Sequence, residues 1–155
     1  MTTTATGITR QYLNGESATL AFGRRLAKGL TGGSVVYLHG ELGAGKTTMV
    51  RGILQGLGYQ DTVKSPTYTL VESYFLTNFT LYHFDLYRLG SPEELEYLGI
   101  RDLFDQKSVM LIEWPERGGD FLPVADIDIN LAYHNGGRHL DCVAHSILGA
   151  QCLAP

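Results

Sequence analysis

The sequence predicts an α/β fold, a mostly parallel sheet flanked by helices with antiparallel strands at the edge. Three observations predict it. An apolar run, Val35-Val36-Tyr37-Leu38, leads into Gly40-Glu41-Leu42-Gly43-Ala44-Gly45-Lys46-Thr47, which matches G-x-x-x-x-G-K-[ST], and a helical pattern follows at once. A second apolar run over 108–112 ends in Glu113 and reads as a central parallel strand. Ile127, Ile129 and Leu131, then Leu140, Cys142 and Ala144, alternate around His134-Asn135-Gly136-Gly137; period two across a Gly-rich turn predicts an antiparallel pair.

The other elements follow in order. Residues 16–28 carry Leu20, Phe22, Leu26 and Ala27 on a broad apolar face, with Ser17 as N-cap and Gly32-Gly33 as the stop. Met49, Val50, Ile53, Leu54 and Leu57 recur at helical spacing until Gly58. Two β-rich runs, 68–75 and 79–84, flank Leu76-Thr77-Asn78 and read as a hairpin. Ser91-Pro92-Glu93-Glu94 is a capping box that opens a short helix over 92–98, ended by Gly99, and 100–104 forms a further helical turn.

At 155 residues with 44% hydrophobic content, the chain fits one domain, 1–155, with a sizeable core. Twelve basic against sixteen acidic residues leave a net charge of -4, so the bulk field does not advertise a nucleic-acid binder. The Thr-rich stretch 1–10 lacks the charged start and apolar core of a secretory signal, and no run reaches membrane-spanning length, so a soluble, cytoplasmic protein is expected. Cys142 and Cys152 lack ligand or redox spacing and read as reduced, and five scattered histidines suggest no zinc site.

The loop at 40–47 has the chemistry of a phosphate cradle. Glycines let backbone N–H groups converge on phosphate oxygens without Cβ clashes, and the same groups lie at a helix N-terminus, where free donors and the macrodipole favour an anion. Lys46 is expected to neutralise the β and γ phosphates and the Thr47 hydroxyl to ligate Mg²⁺. That ion needs further oxygen ligands, and an acid at the C-terminal end of a neighbouring strand points into the crevice where phosphates lie. Two strands end in such acids, at Asp85 and Glu113, which fit one metal ligand and one water-positioning group. Between loop and acids, Ser65, Pro66, Thr67 and Tyr68 form either a switch-like segment ordered by γ-phosphate or a β-turn entering a strand. Trp114 reads as core, and Arg88 and Arg101 as solvated surface.

Four blocks carry more than a generic motif. Gly40-Glu41-Leu42-Gly43-Ala44-Gly45-Lys46-Thr47-Thr48, Lys64-Ser65-Pro66-Thr67-Tyr68-Thr69-Leu70-Val71, His83-Phe84-Asp85-Leu86-Tyr87-Arg88-Leu89 and Glu113-Trp114-Pro115 occur in an order that resembles the TsaE family, formerly YjeE, over nearly the whole chain. The resemblance implies a P-loop NTPase-like core and a Mg²⁺-dependent ATPase of the bacterial machinery that makes threonylcarbamoyladenosine beside the tRNA anticodon. It implies action on a TsaB–TsaD heterodimer, which carries the chemistry itself, with tRNA met only through that complex. By position, Gly43, Ala44, Gly45, Lys46, Thr47 and Thr48 would bind phosphates, Thr47 and Glu113 would hold Mg²⁺, and Asp85 would assist metal or water positioning. Lys46, Asp85 and Glu113 would be the catalytic set, and Ser65 to Tyr68 the switch-like segment. Adenine would lie near Glu16 and Thr19 and near Gly137 and Arg138.

Two rivals share these residues. A small-molecule kinase uses the same loop, but no arginine-rich lid is evident to exclude water from phosphoryl transfer. A nucleotide-gated scaffold with incidental hydrolysis would need the same site. No Asn-Lys-x-Asp guanine signature favours GTP, and the acidic balance makes a direct tRNA contact weak.

Overall fold

The two continuous apolar runs lie side by side at the centre of one seven-stranded sheet. The computed structural model describes residues 7–154. In chain order the elements are β1 (Gly7–Leu13), α1 (Glu16–Ala27), β2 (Val35–His39), α2 (Lys46–Gly56), β3 (Val71–Phe75), β4 (Thr80–Asp85), α3 (Glu94–Tyr97), α4 (Ile100–Leu103), β5 (Ser108–Glu113), β6 (Ile127–His134), β7 (Gly137–Ala144) and α5 (Ile147–Leu153), with two short 3-10 turns after β5. The strand order is β1-β7-β6-β2-β5-β4-β3. β6, β2, β5 and β4 are mutually parallel, and antiparallel strands close both edges: β7 and β1 on one side, β3 on the other.

All six residues of β5 are buried, as a strand covered on both faces must be. One face of the sheet packs Leu38, Leu81, Leu111 and Ile129 against Phe22 and Leu26 of α1 and Met49 and Ile53 of α2. The other packs Val35, Phe84, Met110 and Ile112 under Leu95, Ile100 and the turns after β5. Beyond β2 that second face is bare: Ile8, Arg10 and Tyr12 of β1 and His139 and Asp141 of β7 are exposed, which an antiparallel edge tolerates. The β6–β7 turn is Asn135-Gly136 with φ 48 and 83, both left-handed, the conformation a tight hairpin needs.

Several local expectations are corrected. Gly15 caps α1, not Ser17, and the helix ends at Ala27, well before Gly32-Gly33. The first hairpin strand starts at Val71, because Leu70 donates its N–H to Pro66 O at 2.8 Å and closes a turn over the preceding residues. The helix expected over 92–98 is a single turn, Glu94–Tyr97; half of the capping box forms, with the Glu94 carboxylate accepting from the N–H groups of Gly90 and Ser91. β1 and α5 are elements that no local sequence pattern marks. Residues 1–6 of the Thr-rich start lie outside the described residues, and 7–10 belong to β1. Both cysteines are free and buried, and burial pushes the Cys142 thiol up to about 12 and that of Cys152 up to about 11. Among the described residues no helix is long and apolar enough to cross a membrane.

Candidate functional site

The glycine-rich loop bridges the C-terminal end of β2 and the start of α2, so its position follows from the burial of those two elements. Gly40, Gly43 and Gly45 have φ of 151, 82 and 107, and a Cβ at Gly43 would meet nothing within 4 Å. The loop is bent into conformations that glycine permits, and its outer side is open. Gly45 caps α2 with no side-chain acceptor. The N–H groups of Gly43, Lys46, Thr47 and Thr48 donate to no acceptor among the described residues. Such free donors at the positive end of an eleven-residue helix suit an anion.

The loop forms one wall of a cleft of about 240 Å³. Gly43, Gly45, Lys46, Thr47 and Thr48 line it on that side, with Thr67, Asp85, Glu113, Trp114 and Arg138 around the rest. Register brings the two acids together, because Asp85 at the end of β4 pairs directly with Glu113 at the end of β5. Both are buried. Burial, and then the neighbouring Glu113, raise the Asp85 carboxyl above the usual carboxylate range, against the opposing pull of the Tyr87 N–H, which it accepts at 3.1 Å. Lys46 is buried too; its ammonium donates to Gly40 O and sits 4.3 Å from the Trp114 ring centre. Burial lowers it below the usual lysine range, and Glu113 and Asp85 oppose that shift. A buried cation facing two buried carboxylates beside free N–H donors is arranged to take a polyanion with its counter-cation.

Of the residues expected at the site, the loop, Asp85, Glu113 and Arg138 converge. Arg138 reaches across from β7, donating from Nε to Ala44 O at 2.5 Å and from Nη2 to Gly43 O at 3.5 Å. Ala44 itself faces an adjoining cavity of about 440 Å³. Within the switch-like segment only Thr67 enters the cleft; its hydroxyl lies 3.4 Å from Asp85 Oδ2 and 2.7 Å from the Ser65 hydroxyl. Pro66 is buried and Tyr68 points outward under the Arg88 guanidinium. Glu16, Thr19 and Gly137 do not line the cleft. Glu16 approaches Arg51 at 3.9 Å, Thr19 is buried in α1, and Gly137 is a close-approach position where a Cβ would run into Tyr12 and Leu13 of β1.

Two further residues, Trp114 and His83, belong to the site. Trp114, expected in the core, is half-buried in a left-handed backbone conformation, φ 56, which turns its ring into the cleft wall. His83 is fully buried with Nε2 2.6 Å from Glu113 Oε2. The signal for His83 was the strand period itself: a strand that aims Asp85 at the loop aims the residue two before it to the same face.

Residues 13–140 match the family described as threonylcarbamoyl adenosine biosynthesis protein TsaE. The chain is 49% identical over 149 residues to the "tRNA threonylcarbamoyladenosine biosynthesis protein TsaE" of Haemophilus influenzae, covering 93% of this chain and 94% of that protein. It is 38% identical to the protein of the same name from Nostoc, over 84% of this chain and 82% of the relative. The crystal structure of Bacillus subtilis YdiB superposes with a TM-score of 0.77 at 27% identity, covering 91% of this chain and 88% of that one. Together with the cleft between its glycine loop and paired carboxylates, these likenesses place the chain: it belongs to the TsaE family.

Proposed function

We propose that this chain is the ATP-binding and ATP-hydrolysing component of the machinery that makes threonylcarbamoyladenosine in tRNA, built on a P-loop NTPase-like core and acting in the cytoplasm on a TsaB–TsaD heterodimer. The observation that carries the ATPase reading is the single cleft in which Lys46, Thr47 and the free loop N–H groups face the register-paired Asp85 and Glu113. The pathway assignment is supported by the names of the relatives.

The donor set fits Mg²⁺. Thr47, Asp85 and Glu113 offer hard oxygens, and among the described residues no group of three His, Cys, Asp or Glu side chains forms a metal centre by itself. An ion held by so few protein ligands depends on phosphate oxygens to complete its shell, as Mg²⁺ at nucleotide sites does. Bound Mg²⁺ would draw charge from the phosphates as the terminal bond breaks. The chain's own work is to cradle the phosphates with loop N–H groups, to place the Lys46 charge on them, and to orient a water with whichever of Asp85 and Glu113 does not hold the ion. Hydrolysis then drives a change in the partner complex, and the Thr67 contact with Asp85 gives that change a route to the exposed Tyr68.

The test is release of phosphate from γ-labelled ATP by the purified chain, with and without Mg²⁺ and with and without TsaB–TsaD, alongside formation of the modified nucleoside. Mg²⁺-dependent hydrolysis stimulated by the heterodimer is expected. Transfer of the γ-phosphate to a metabolite faster than to water would replace this reading with that of a kinase.

A further inference from the structure

We infer that His83 is a positioning residue for Glu113, fixing one carboxylate oxygen so that the other is presented to the divalent cation of the cleft. This rests on the nucleotide and Mg²⁺ reading above. His83 lies on β4 and Glu113 ends β5, one strand over. The imidazole is fully buried, its Nε2 is 2.6 Å from Glu113 Oε2, and Nδ1 has no partner. A hydrogen on Nδ1 would be a buried donor without an acceptor, so the ring carries its hydrogen on Nε2 and donates it to Glu113.

The rest of Glu113 completes the geometry. Oε1 makes no hydrogen bond among the described residues, yet His83 Nδ1 is the one buried side-chain polar atom there without a partner; Oε1 therefore opens onto the cleft that Glu113 lines. Glutamate has freely rotating side-chain bonds, and Asp85 directly opposite repels it. A ring locked in the core sets Oε2 and, through it, the direction of Oε1. Outer hydrogen-bond partners of metal ligands act in this way, and losing one typically weakens metal binding about 10–100-fold.

The experiment measures Mn²⁺ binding by electron paramagnetic resonance to the protein saturated with a non-hydrolysable ATP analogue, and separately measures affinity for the analogue in chelator. His83→Leu should weaken Mn²⁺ binding by about ten-fold or more and leave metal-free analogue affinity unchanged. His83→Gln, whose amide nitrogen reaches the position of Nε2, should restore Mn²⁺ binding; His83→Asn, whose amide stops at the position of Nδ1, should not. A purely structural histidine would give no such order between Gln and Asn, so equal Mn²⁺ affinity in those two variants overturns the inference even if His83→Leu fails to fold. Wild-type Mn²⁺ affinity in a folded His83→Leu overturns it as well. A wild-type protein whose Mn²⁺ binding does not depend on nucleotide overturns the underlying metal reading and this inference with it.

Discussion

Lys46 carries its ammonium into a buried position where a backbone carbonyl, an indole face and two carboxylates surround it. Those groups offset its desolvation in part, and in the proposed complex phosphate adds to them. Lys46→Ala removes a charge-assisted contact of about 1.5–3 kcal/mol, so ATP affinity should fall at least about ten-fold by calorimetric titration. Unchanged affinity would remove the loop from the site. Asp85 gives a complementary test without nucleotide. Its folded-state carboxyl is raised by burial and by Glu113, so the stability it lends is fully present below the ordinary carboxylate range and lost as pH rises through the raised value. At neutral pH the raised carboxyl is a liability, and Asp85→Asn should raise the melting temperature of the metal-free protein by a few degrees, about what 1 kcal/mol produces in a chain of this size. The gain should shrink as pH falls through the raised value and be gone below the ordinary carboxylate range. A melting temperature that drops at neutral pH would mean that Asp85 is held by contacts worth more than its burial costs. Asp85 and Glu113 were legible as acids ending apolar strands, whereas the pairing of β4 with β5 that sets them side by side is a long-range fact no local pattern carries.

At the scale of elements, α1 and α2 approach through glycines. A Cβ at Gly52 would meet Leu20 O at 2.5 Å, and one at Gly23 would meet Met49 O at 2.7 Å. Both obstacles are backbone, so neither can swing aside, and the helix that positions Lys46 and Thr47 is held against α1 by that closeness. Gly52→Ala, favourable by helix propensity alone, should instead destabilise the protein by about 1–3 kcal/mol in urea titration, because the overlap outweighs the propensity gain. Equal or greater stability would show that the two helices can separate at no cost. The periodicity of α2, the apolar run 109–112 within β5 and the Asn135-Gly136 turn made those elements readable, since each is specified by its own residues. β1 was not readable. Ile8, Arg10 and Tyr12 face outward and Thr9 and Gln11 inward, so its alternation has no apolar face and only pairing with β7 makes it a strand.

For the whole molecule, the question is what joins the parallel half, which bears the loop and the acids, to the antiparallel half, which supplies Arg138. Beside the β2–β6 and β6–β7 ladders, Asp126 is a side-chain joint. Its Oδ2 accepts the N–H of Val35 at 2.8 Å, its Oδ1 accepts the Ser146 hydroxyl at 2.6 Å, its backbone N–H donates to Val35 O and its carbonyl accepts the His145 N–H. Ser146 in turn caps α5 through the Gly149 N–H, so one carboxylate ties the start of the loop strand, the start of β6 and the C-terminal helix. The sequence gives no hint of this, because the partners stand 91 and 20 residues away. Asp126→Ala leaves the Val35 N–H without its side-chain acceptor and frees the cap. It should cost about 2–3 kcal/mol, the loss of a hydrogen-bonded carboxylate. If the sheet is one cooperative unit, urea unfolding of Asp126→Ala shows a lower midpoint with an unchanged slope, and ATP affinity survives in the folded protein because the cleft residues are untouched. A shallower slope, or two transitions, would mean that the antiparallel half unfolds by itself, and that Arg138 reaches the glycine loop only while the joint at Asp126 holds.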